Sequence, residues 1–480
     1  MKDHVSFLKI KREEPQYRPV CERVNDFREV GLLRTEASSQ DQASRCMSCG
    51  TPFCHWACPL GNYIPEWNDL VSRKLWQEAF ELLDATNNLP EITGRICPAL
   101  CEYSCVLGIN DSPVTVRENE LAVIEYAFRS GLTKPLKRIK RNGMKVAVAG
   151  SGPAGLACAA QLNKAGYAVT VFEKDDKPGG ILRYGIPDFK LEKKIIDRRV
   201  KLMELSGITF RTQVNVGKDI PLVELKRKFE AVVLSCGCRL PRDLRIEGRQ
   251  LNGIHFAMDF LIQANKTVSG SKKAVSGINA SGKRVVVIGG GDTGADCVGV
   301  CHRQGASCVT QVELFPQPPS SRQENCPWPK YPMLLKTSTS HQEGGERVWS
   351  VMTKKFLDNG KGSVMGLSCV KVDVKKGPDG RPRVEEIPGT AFKIEAEMVI
   401  LALGFASPEQ GEMLKASGVG LDVCGNVQAD VTQMTSLKGV FTAGDMRRGQ
   451  SLIVWAISEG RKTAHYVDKY LSGESFLPLI

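Results

Sequence analysis

Seven cysteines lie between residues 46 and 105, and their spacing suits metal chemistry. Four are arranged as C-x2-C-x4-C-x3-C-P and three as C-x3-C-x3-C: Cys46, Cys49, Cys54, Cys58, Cys97, Cys101 and Cys105. Structural zinc sites usually pair two C-x2-C knuckles, and only one is present here. In ferredoxins with two 4Fe-4S clusters, the cysteine before a proline binds the second cluster. The pattern favours two such clusters over zinc or buried structural thiols, with the first three cysteines on one cluster, Cys58 on the other, and an eighth ligand that is not cysteine.

A glycine-rich turn follows in "KVAVAGSGPAGLACAAQLNKAGYAVTVFEK". An apolar run predicts a strand, and Gly150, Gly152 and Gly155 predict a tight turn into a helix. Backbone amides and the helix N-terminus at such a turn can bind a pyrophosphate. The next predicted strand ends at Glu173, whose carboxylate is placed to accept hydrogen bonds from ribose hydroxyls. The full strand-helix-strand context makes this a strong prediction of a dinucleotide site.

The same arrangement recurs in "KRVVVIGGGDTGADCVGVCHRQGASCVTQVELF". Gly289, Gly291 and Gly294 form the turn, Asp292 follows the second of them, and the second strand closes on Glu313. Two complete units in one chain predict two dinucleotides, and the natural pair is a flavin and a nicotinamide. A vestigial unit without a ligand is the alternative.

The elements that must position these residues can be read from periodicity. Apolar residues at three- and four-residue intervals predict helices around the cysteines. Near the C-terminus, "GVFTAGDMRRGQSLIVWAISEGRKTA" predicts a strand, then Gly444 and Asp445, then a helix that can offer a carboxylate and its N-terminus to a flavin. We predict an α/β protein with a helical iron-sulfur domain and two Rossmann-like dinucleotide-binding domains, the second inserted in the first. The predicted bounds are 1–144 for the iron-sulfur domain, 145–270 with 400–480 for the FAD-binding domain, and 271–399 for the NAD(P)H-binding domain.

Composition narrows the class of protein. The chain has 480 residues, 42% of them hydrophobic, seventeen cysteines and a net charge of +12. The charged N-terminal segment and the absence of a long apolar run lead us to expect no membrane segment and a cytoplasmic location. Basic residues are dispersed and are not interleaved with aromatic residues, so we expect no nucleic-acid partner. The dense basic run at 134–145 is interpreted as a linker, with docking to an acidic partner as the alternative.

Together with the cysteines, "GGILRYGIPDFKL", "GGGDTGADC" and "AGDMRRGQSLIVWAISEGR" make the whole chain resemble the small (beta) subunit of glutamate synthase. The N-terminal half of dihydropyrimidine dehydrogenase is similar in layout. The resemblance implies one 4Fe-4S cluster on Cys46, Cys49, Cys54 and Cys105. It implies a second on Cys58, Cys97, Cys101 and Glu120, which supplies the missing eighth ligand. It also implies that Gly180, Leu182, Lys190 and Asp445 contact FAD and that Gly404 lies at the crossover between the dinucleotide domains.

One position bears on the choice between NADH and NADPH. Many NADPH-dependent members carry an arginine pair after the second strand of the nicotinamide unit, where this chain has "VELFPQPPSSR". Glu313 would repel a 2′-phosphate and accept from a free 2′-hydroxyl, which tilts the prediction toward NADH. Three arginines can still reach the site from elsewhere in the chain: Arg303, Arg322 and Arg347.

The function implied by this resemblance is electron input to glutamate synthase. NAD(P)H would transfer hydride to FAD, which needs no protein acid or base, so no catalytic residue is predicted. Single electrons would pass through the clusters to a large (alpha) subunit carrying the glutaminase and FMN sites. There L-glutamate would be made from L-glutamine and 2-oxoglutarate. The alternatives are an NAD(P)H:acceptor oxidoreductase feeding ferredoxin or a pyrimidine reductase partner, and a non-redox zinc-bearing scaffold.

Overall fold

The computed structural model describes residues 5–136, 139–270, 277–377 and 382–479. Its helices are α1 (Ser6–Lys9), α2 (Val20–Arg23), α3 (Glu36–Ser44), α4 (Phe53–Ala57), α5 (Ile64–Ser72), α6 (Trp76–Thr86), α7 (Pro90–Ile96), α8 (Leu100–Tyr103), α9 (Val116–Arg129), α10 (Pro153–Lys164), α11 (Ile181–Tyr184), α12 (Lys193–Leu205), α13 (Leu222–Lys228), α14 (Ala257–Val268), α15 (Asp292–Arg303), α16 (Thr339–Gln342), α17 (Glu412–Ser417), α18 (Asp445–Arg448) and α19 (Ile453–Ser472). Its strands are β1 (Lys145–Ala149), β2 (Ala168–Phe172), β3 (Thr209–Arg211), β4 (Ala231–Leu234), β5 (Leu240–Pro241), β6 (Ile254–Phe256), β7 (Arg284–Ile288), β8 (Cys308–Val312), β9 (Glu346–Val348), β10 (Val351–Asp358), β11 (Val364–Lys376), β12 (Pro382–Glu386), β13 (Phe392–Glu395), β14 (Met398–Leu401), β15 (Phe405–Ser407) and β16 (Val440–Thr442).

The first sheet is parallel, in the order β16-β4-β1-β2-β3. Its central strands are runs of valine, alanine and leucine that are buried on both faces, as parallel strands covered by helices must be. Helices α10 and α19 cover one face and touch closely at Gly460, where a Cβ would lie 2.1 Å from the carbonyl oxygen of Ala154. The strand contributed by residues 440–442 therefore joins the C-terminal segment to the first dinucleotide unit.

The second sheet is also parallel, in the order β6-β14-β7-β8-β9. An antiparallel sheet of β10 to β13 packs against one of its faces, where Phe356 and Leu367 meet Val286 and Ile288. By sheet membership, β6 and all of β14 belong with the second unit, so the sheet extends beyond the 271–399 range on both sides. The domain bounds remain a prediction, and residues 271–276, on which one bound falls, lie outside the described residues.

The two units are connected by a two-stranded antiparallel ribbon of β5 and β15. Gly404 lies directly before β15, and its carbonyl oxygen accepts a hydrogen bond of 2.9 Å from the backbone N–H of Arg242. A Cβ at Gly404 would lie 2.5 Å from Oε1 of Gln450, so the crossover is closely packed.

Helices α3 to α9 surround a core of their own that includes Ile64, Trp67 and Val71. The buried guanidinium of Arg199 on α12 donates two hydrogen bonds of 2.6 and 2.7 Å to the carboxylate of Glu91 on α7. This ion pair joins the cysteine-bearing helices to the first dinucleotide unit. The linker predicted at 134–145 leads directly into β1, and its residues 137 and 138 lie outside the described residues. None of the helices in the described ranges is long and apolar enough to span a membrane.

Candidate cofactor and cluster sites

The turn between β1 and α10 shows why its three glycines differ in role. Gly150 has a φ of +100°, and a Cβ there would lie 2.5 Å from the carbonyl oxygen of Ser235. A Cβ at Gly155 would lie 2.0 Å from the carbonyl oxygen of Gly150, so only glycine lets the helix approach the strand. Nothing lies within 4 Å of a Cβ at Gly152, which faces open space. That space is where a pyrophosphate approaches the backbone in this type of turn.

A cavity of about 480 Å³ opens from this turn. Predicted site residues that line it are Gly150, Gly152, Glu173, Gly180 and Asp445. Cys236 and Cys238 also line it. The structure therefore brings the C-terminal segment to the first glycine turn, as the resemblance implies.

Two carboxylates are held inside this cavity. Glu173 is buried, and its Oε2 accepts hydrogen bonds from the hydroxyl and the backbone N–H of Ser151. Asp445 begins α18 and accepts a 2.6 Å hydrogen bond from the hydroxyl of Ser451. Burial raises the pKa of Asp445 to about 6. Both carboxylates line the cavity and can accept hydrogen bonds from hydroxyl groups of a ligand there.

Leu182 and Lys190 do not line this cavity. Leu182 is fully buried in the core of the first unit. Lys190 forms an ion pair with Asp296 on α15, and its neighbour Phe189 packs in the core of the second unit. This segment thus connects the two dinucleotide units, and contact of either predicted residue with FAD stays a prediction.

The turn between β7 and α15 repeats the geometry of the first. Gly289 has a φ of +122°, and a Cβ at Gly294 would lie 2.3 Å from the carbonyl oxygen of Gly289. Gly291 again faces open space. A cavity of about 240 Å³ lies there, lined by Gly291, Asp292 and Glu313 among others. The second predicted nucleotide site is therefore assembled in the same way as the first.

Glu313 follows β8, and its carboxylate caps the turn. Oε2 accepts from the backbone N–H of Gly290, and Oε1 accepts from that of Phe315 at 3.3 Å. The second cavity is also lined by Lys336 and Arg347, so basic side chains share it with the carboxylates of Asp292 and Glu313.

The three arginines considered for binding a 2′-phosphate lie in different surroundings. The side chain of Arg303 is 0% exposed, pairs with Glu343 and stacks on Phe189. Arg322 donates to the carbonyl oxygens of Cys326 and Tyr103, at 3.1 and 3.0 Å. Neither lines the second cavity, whereas Arg347 does.

The first group of predicted cluster ligands comes together around Cys54. Burial raises the pKa of the Cys54 thiol, and the neighbouring thiols of Cys46, Cys105 and Cys49 raise it further. Burial and the nearby Cys105 thiol also raise the pKa of Cys49. Cys105 lies far from the other three in sequence and is brought to them by α8 packing against α4. We call these four cysteines the first quartet.

The second group comes together in the same way. Burial raises the pKa of Cys58 to about 11 and of Cys97 to about 12, and it raises that of Cys101 well above its ordinary value. In each case the carboxylate of Glu120 adds to the shift. We call these three cysteines and Glu120 the second quartet.

Glu120 lies on α9 and is 6% exposed. Its Oε1 accepts hydrogen bonds from the side-chain amide of Asn87, at 2.9 Å, and from the hydroxyl of Thr93. Burial raises the pKa of Glu120 to about 7. A carboxylate held in this way among three buried thiols has the chemistry of a metal ligand.

Cys58 and Cys97 pack against the core of the first dinucleotide unit as well as near their own quartet. Cys46, Cys54 and Cys105 pack only in the core of the helical region. The second quartet is therefore the one that adjoins the first dinucleotide unit.

Within the described residues, no three histidine, cysteine or acidic side chains are grouped closely enough to hold a single metal ion. A 4Fe-4S cluster distributes its ligands over four iron atoms, so its ligands stand farther apart than those of one ion.

One charged residue at the first quartet was missed by the sequence reasoning. Arg45, directly before Cys46, is fully buried and donates to the carbonyl oxygens of Ile10, Ser112 and Pro113. Its position next to a ligand cysteine in "SRCMSCG" was the available signal. Missed as well were Tyr331 and Lys336, which line the second cavity from a segment without regular structure.

The chain is similar over its whole length to proteins of one family. It is 51% identical to the glutamate synthase [NADPH] small chain of Mycobacterium tuberculosis, covering 100% of this chain and 98% of that protein. It is 45% identical to the glutamate synthase [NADPH] small chain of Bacillus subtilis, covering 98% and 99%. The chain belongs to the glutamate synthase small-chain family. The suspected family is thus confirmed.

Other members of the glutamate synthase family are longer. The glutamate synthase [NADH] of Schizosaccharomyces pombe is 44% identical over 98% of this chain, but the match covers only 23% of that protein. A sequence related to this small chain is therefore one part of a larger polypeptide there.

Two family models match successive parts of this chain. Residues 23–132 match dihydropyrimidine dehydrogenase domain II, 4Fe-4S cluster, and residues 144–460 match pyridine nucleotide-disulphide oxidoreductase. The structure of Mycobacterium tuberculosis FprA in complex with NADPH has the same fold over 69% of this chain and 85% of that one, with a TM-score of 0.56 and 19% identity. The predicted fold class is confirmed, as is the prediction of an FAD-dependent oxidoreductase with an iron-sulfur domain.

Proposed function

We propose that this chain is the electron-input subunit of a glutamate synthase. It would oxidise NAD(P)H and deliver electrons to a large subunit that makes L-glutamate from L-glutamine and 2-oxoglutarate. The observation that carries this proposal is the match of 51% identity over the whole length of a glutamate synthase small chain. The two nucleotide turns and the two quartets on the same chain support it, because the reaction needs all of them.

We assign FAD to the first cavity and NAD(P)H to the second. When bound, the flavin accepts a hydride from the nicotinamide, and the clusters accept its two electrons one at a time. Gly150, Gly152 and Gly155 would hold the flavin pyrophosphate, with Glu173 on a ribose and Gly180 and Asp445 on the remainder. Gly289, Gly291, Asp292 and Gly294 would hold the nicotinamide nucleotide. The protein's task is to orient the two rings and exclude water, so no acid or base is assigned.

We assign one 4Fe-4S cluster to each quartet. All eight side chains are brought together as two sets of four, and buried thiols lose their protons when iron binds. The second quartet adjoins the first dinucleotide unit, so it is placed to receive electrons from the flavin before the first quartet does. The first quartet would then face the acceptor.

The assignment of Glu120 as the eighth ligand has a matched control. Glu118 lies on the same helix, is also buried, and pairs with Arg117 at 2.8 Å. Glu120→Ala should lower the iron bound per chain and alter the paramagnetic spectrum of one reduced cluster, with flavin content unchanged. Glu118→Ala should retain iron. Full iron and an unaltered spectrum in the Glu120 variant would show that the eighth ligand lies elsewhere.

We propose a preference for NADH, as Glu313 indicates. Its carboxylate lies at the end of β8 and lines the second cavity, where a free 2′-hydroxyl can donate to it and a 2′-phosphate would be repelled. Arg347 lines the same cavity and offers a route by which NADPH can still bind.

We place the protein in the cytoplasm with a large glutamate synthase subunit as its partner, which would carry the glutaminase and FMN sites. All seventeen cysteines lie in the described ranges, and none of them forms a disulfide bond, which suits a reducing compartment. The name "small chain" of the relatives supports a separate large partner.

The test uses the anaerobically purified chain with and without a large glutamate synthase subunit. The chain alone should contain one FAD and about eight irons, reduce an artificial acceptor with NADH, and form no glutamate. Adding the large subunit should give NADH-dependent glutamate formation from glutamine and 2-oxoglutarate. Zinc in place of iron would refute the proposal. Rapid reduction of ferredoxin with no response to the large subunit would favour the acceptor oxidoreductase instead.

A further inference from the structure

A buried arginine beside the first quartet lacks a full counter-charge. Arg45 is 0% exposed, and its nearest carboxylate is that of Asp111, 3.5 Å away and 53% exposed. Its other hydrogen bonds go to neutral carbonyl oxygens, those of Ile10 at 2.9 Å, Ser112 at 2.9 Å and Pro113 at 3.2 Å. Burying a charge costs several kcal/mol unless an opposite charge compensates it, and a half-exposed partner at this distance compensates only part of that cost. The surroundings of Arg45 therefore call for a further negative charge.

The groups around Arg45 show where that charge would be. The arginine follows α3 and directly precedes Cys46, and the thiol of Cys105 lies within its electrostatic range. The nearby guanidinium of Arg12 is matched by Glu14 and Glu102, at 2.7 and 2.9 Å. A cluster on the first quartet, whose first ligand is the next residue in the chain, would supply such a negative charge.

We infer that Arg45 supplies a buried positive charge that stabilises the reduced form of the cluster on the first quartet. This inference rests on the proposed function, because it requires a cluster there. One electron entering a cluster adds one negative charge, and a fixed positive charge close by favours that state. Arg45 would then act on the cluster through its charge and raise the midpoint potential of that cluster.

The second quartet lacks an uncompensated positive charge of this kind. Its neighbouring arginine, Arg117, is 25% exposed and is neutralised by Glu118 at 2.8 Å. Cluster potentials depend on net charge and on hydrogen bonds to the sulfurs. The charges therefore favour an electron on the first quartet over one on the second, which is the direction from the flavin unit outward.

The size of the effect follows from electrostatics. A unit charge about 10 Å away, at an effective dielectric constant of about 20, changes an equilibrium about tenfold or more. For a one-electron couple, a tenfold change corresponds to about 59 mV. Loss of the Arg45 charge should therefore lower the midpoint potential of one cluster by about this amount.

The test compares Arg45→Gln, Arg45→Lys and Asp111→Asn by redox titration of the paramagnetic signals at low ionic strength, with iron and flavin content measured on each. Arg45→Gln should lower the midpoint potential of one cluster by about 59 mV, which corresponds to a tenfold fall in its reduced-to-oxidised ratio at a given potential. Arg45→Lys, which keeps the charge but loses hydrogen bonds, should stay near wild type. Asp111→Asn, which removes the partial counter-charge, should shift the same cluster upward.

Equal downward shifts in the glutamine and lysine variants would overturn the inference, because lost hydrogen bonds would then explain them. No upward shift in Asp111→Asn would also overturn it. Should Arg45→Gln fail to fold, the other two variants still decide the matter. The wild-type titration separates this result from the proposed function. Absence of a second cluster signal in the wild type refutes the proposed function. Two cluster signals whose midpoint potentials do not change in the Arg45 variants refute only the inference.

Discussion

Two glycines three residues apart in the first turn should respond to alanine in opposite ways. At Gly155, a Cβ would lie 2.0 Å from the carbonyl oxygen of Gly150 and 2.8 Å from the hydroxyl of Ser235. Because the closest atom belongs to the backbone, α10 must move away from β1. Overpacking of a core costs about 1–3 kcal/mol, and we expect Gly155→Ala to lie at the upper end, about 3 kcal/mol.

Gly152→Ala is the matched comparison. The φ of Gly152 is −67°, which alanine adopts without strain, and no protein atom lies within 4 Å of the added methyl group. The free energy of unfolding of the flavin-free protein should change by less than about 1 kcal/mol. The methyl group would occupy the space that the pyrophosphate needs, so flavin affinity should fall by at least tenfold.

Denaturant unfolding of the flavin-free proteins and titration with FAD, followed by flavin fluorescence, measure the two quantities separately. The reasoning fails if Gly155→Ala is as stable as wild type, or if Gly152→Ala binds FAD as tightly as wild type. Gly291→Ala, in the equivalent open position of the second unit, is the control. It should weaken NADH binding and leave flavin content unchanged.

Three further predictions concern single side chains. Glu313→Ala should lower the ratio of the rates of flavin reduction by NADH and NADPH in stopped-flow experiments, and an unchanged ratio would contradict the proposed preference. Arg199→Met leaves the fully buried Glu91 without its partner and should lower the free energy of unfolding, measured with denaturant, by about 3–5 kcal/mol. Adding Glu91→Leu should recover much of this loss, and a loss below about 1 kcal/mol in the single variant would contradict the prediction. Burial raises the pKa of Glu125, but the hydrogen bonds and charges of Arg198 and Arg95 together outweigh burial and hold that pKa below its ordinary value. The stability lost in Glu125→Gln should therefore be seen above about pH 4.5 and should vanish as the pH falls below it, which melting temperatures across that range will show.

Much of the fold was open to prediction from sequence because its signals are local. The strand, turn and helix around Gly150 or Gly289 are contiguous in sequence. Within each turn, a Cβ on the third glycine would meet the carbonyl oxygen of the first glycine. The small sheet of β10 to β13 was not predicted. Its strands carry buried residues that face the second sheet, and nothing within such a strand tells which surface it will cover.

The candidate sites divide in the same way. The seven cysteines that we propose as cluster ligands were readable from spacing, and Glu120 came from the resemblance. The sequence did not show that Arg303 would be sequestered by Glu343, or that Arg347 would line the second cavity.

By itself, the sequence determined the chemistry available to this protein: seven cysteines suited to iron-sulfur clusters, two turns suited to dinucleotides, and an acid at the end of each unit. Patterns of spacing report on neighbours within a few residues, which is why these features could be found without a structure. The tertiary structure alone decided which groups meet. Helix packing brings Cys105 to Cys54 and buries Arg45 beside them, and it sets the second quartet against the first dinucleotide unit, because such contacts depend on how surfaces distant in sequence fit together.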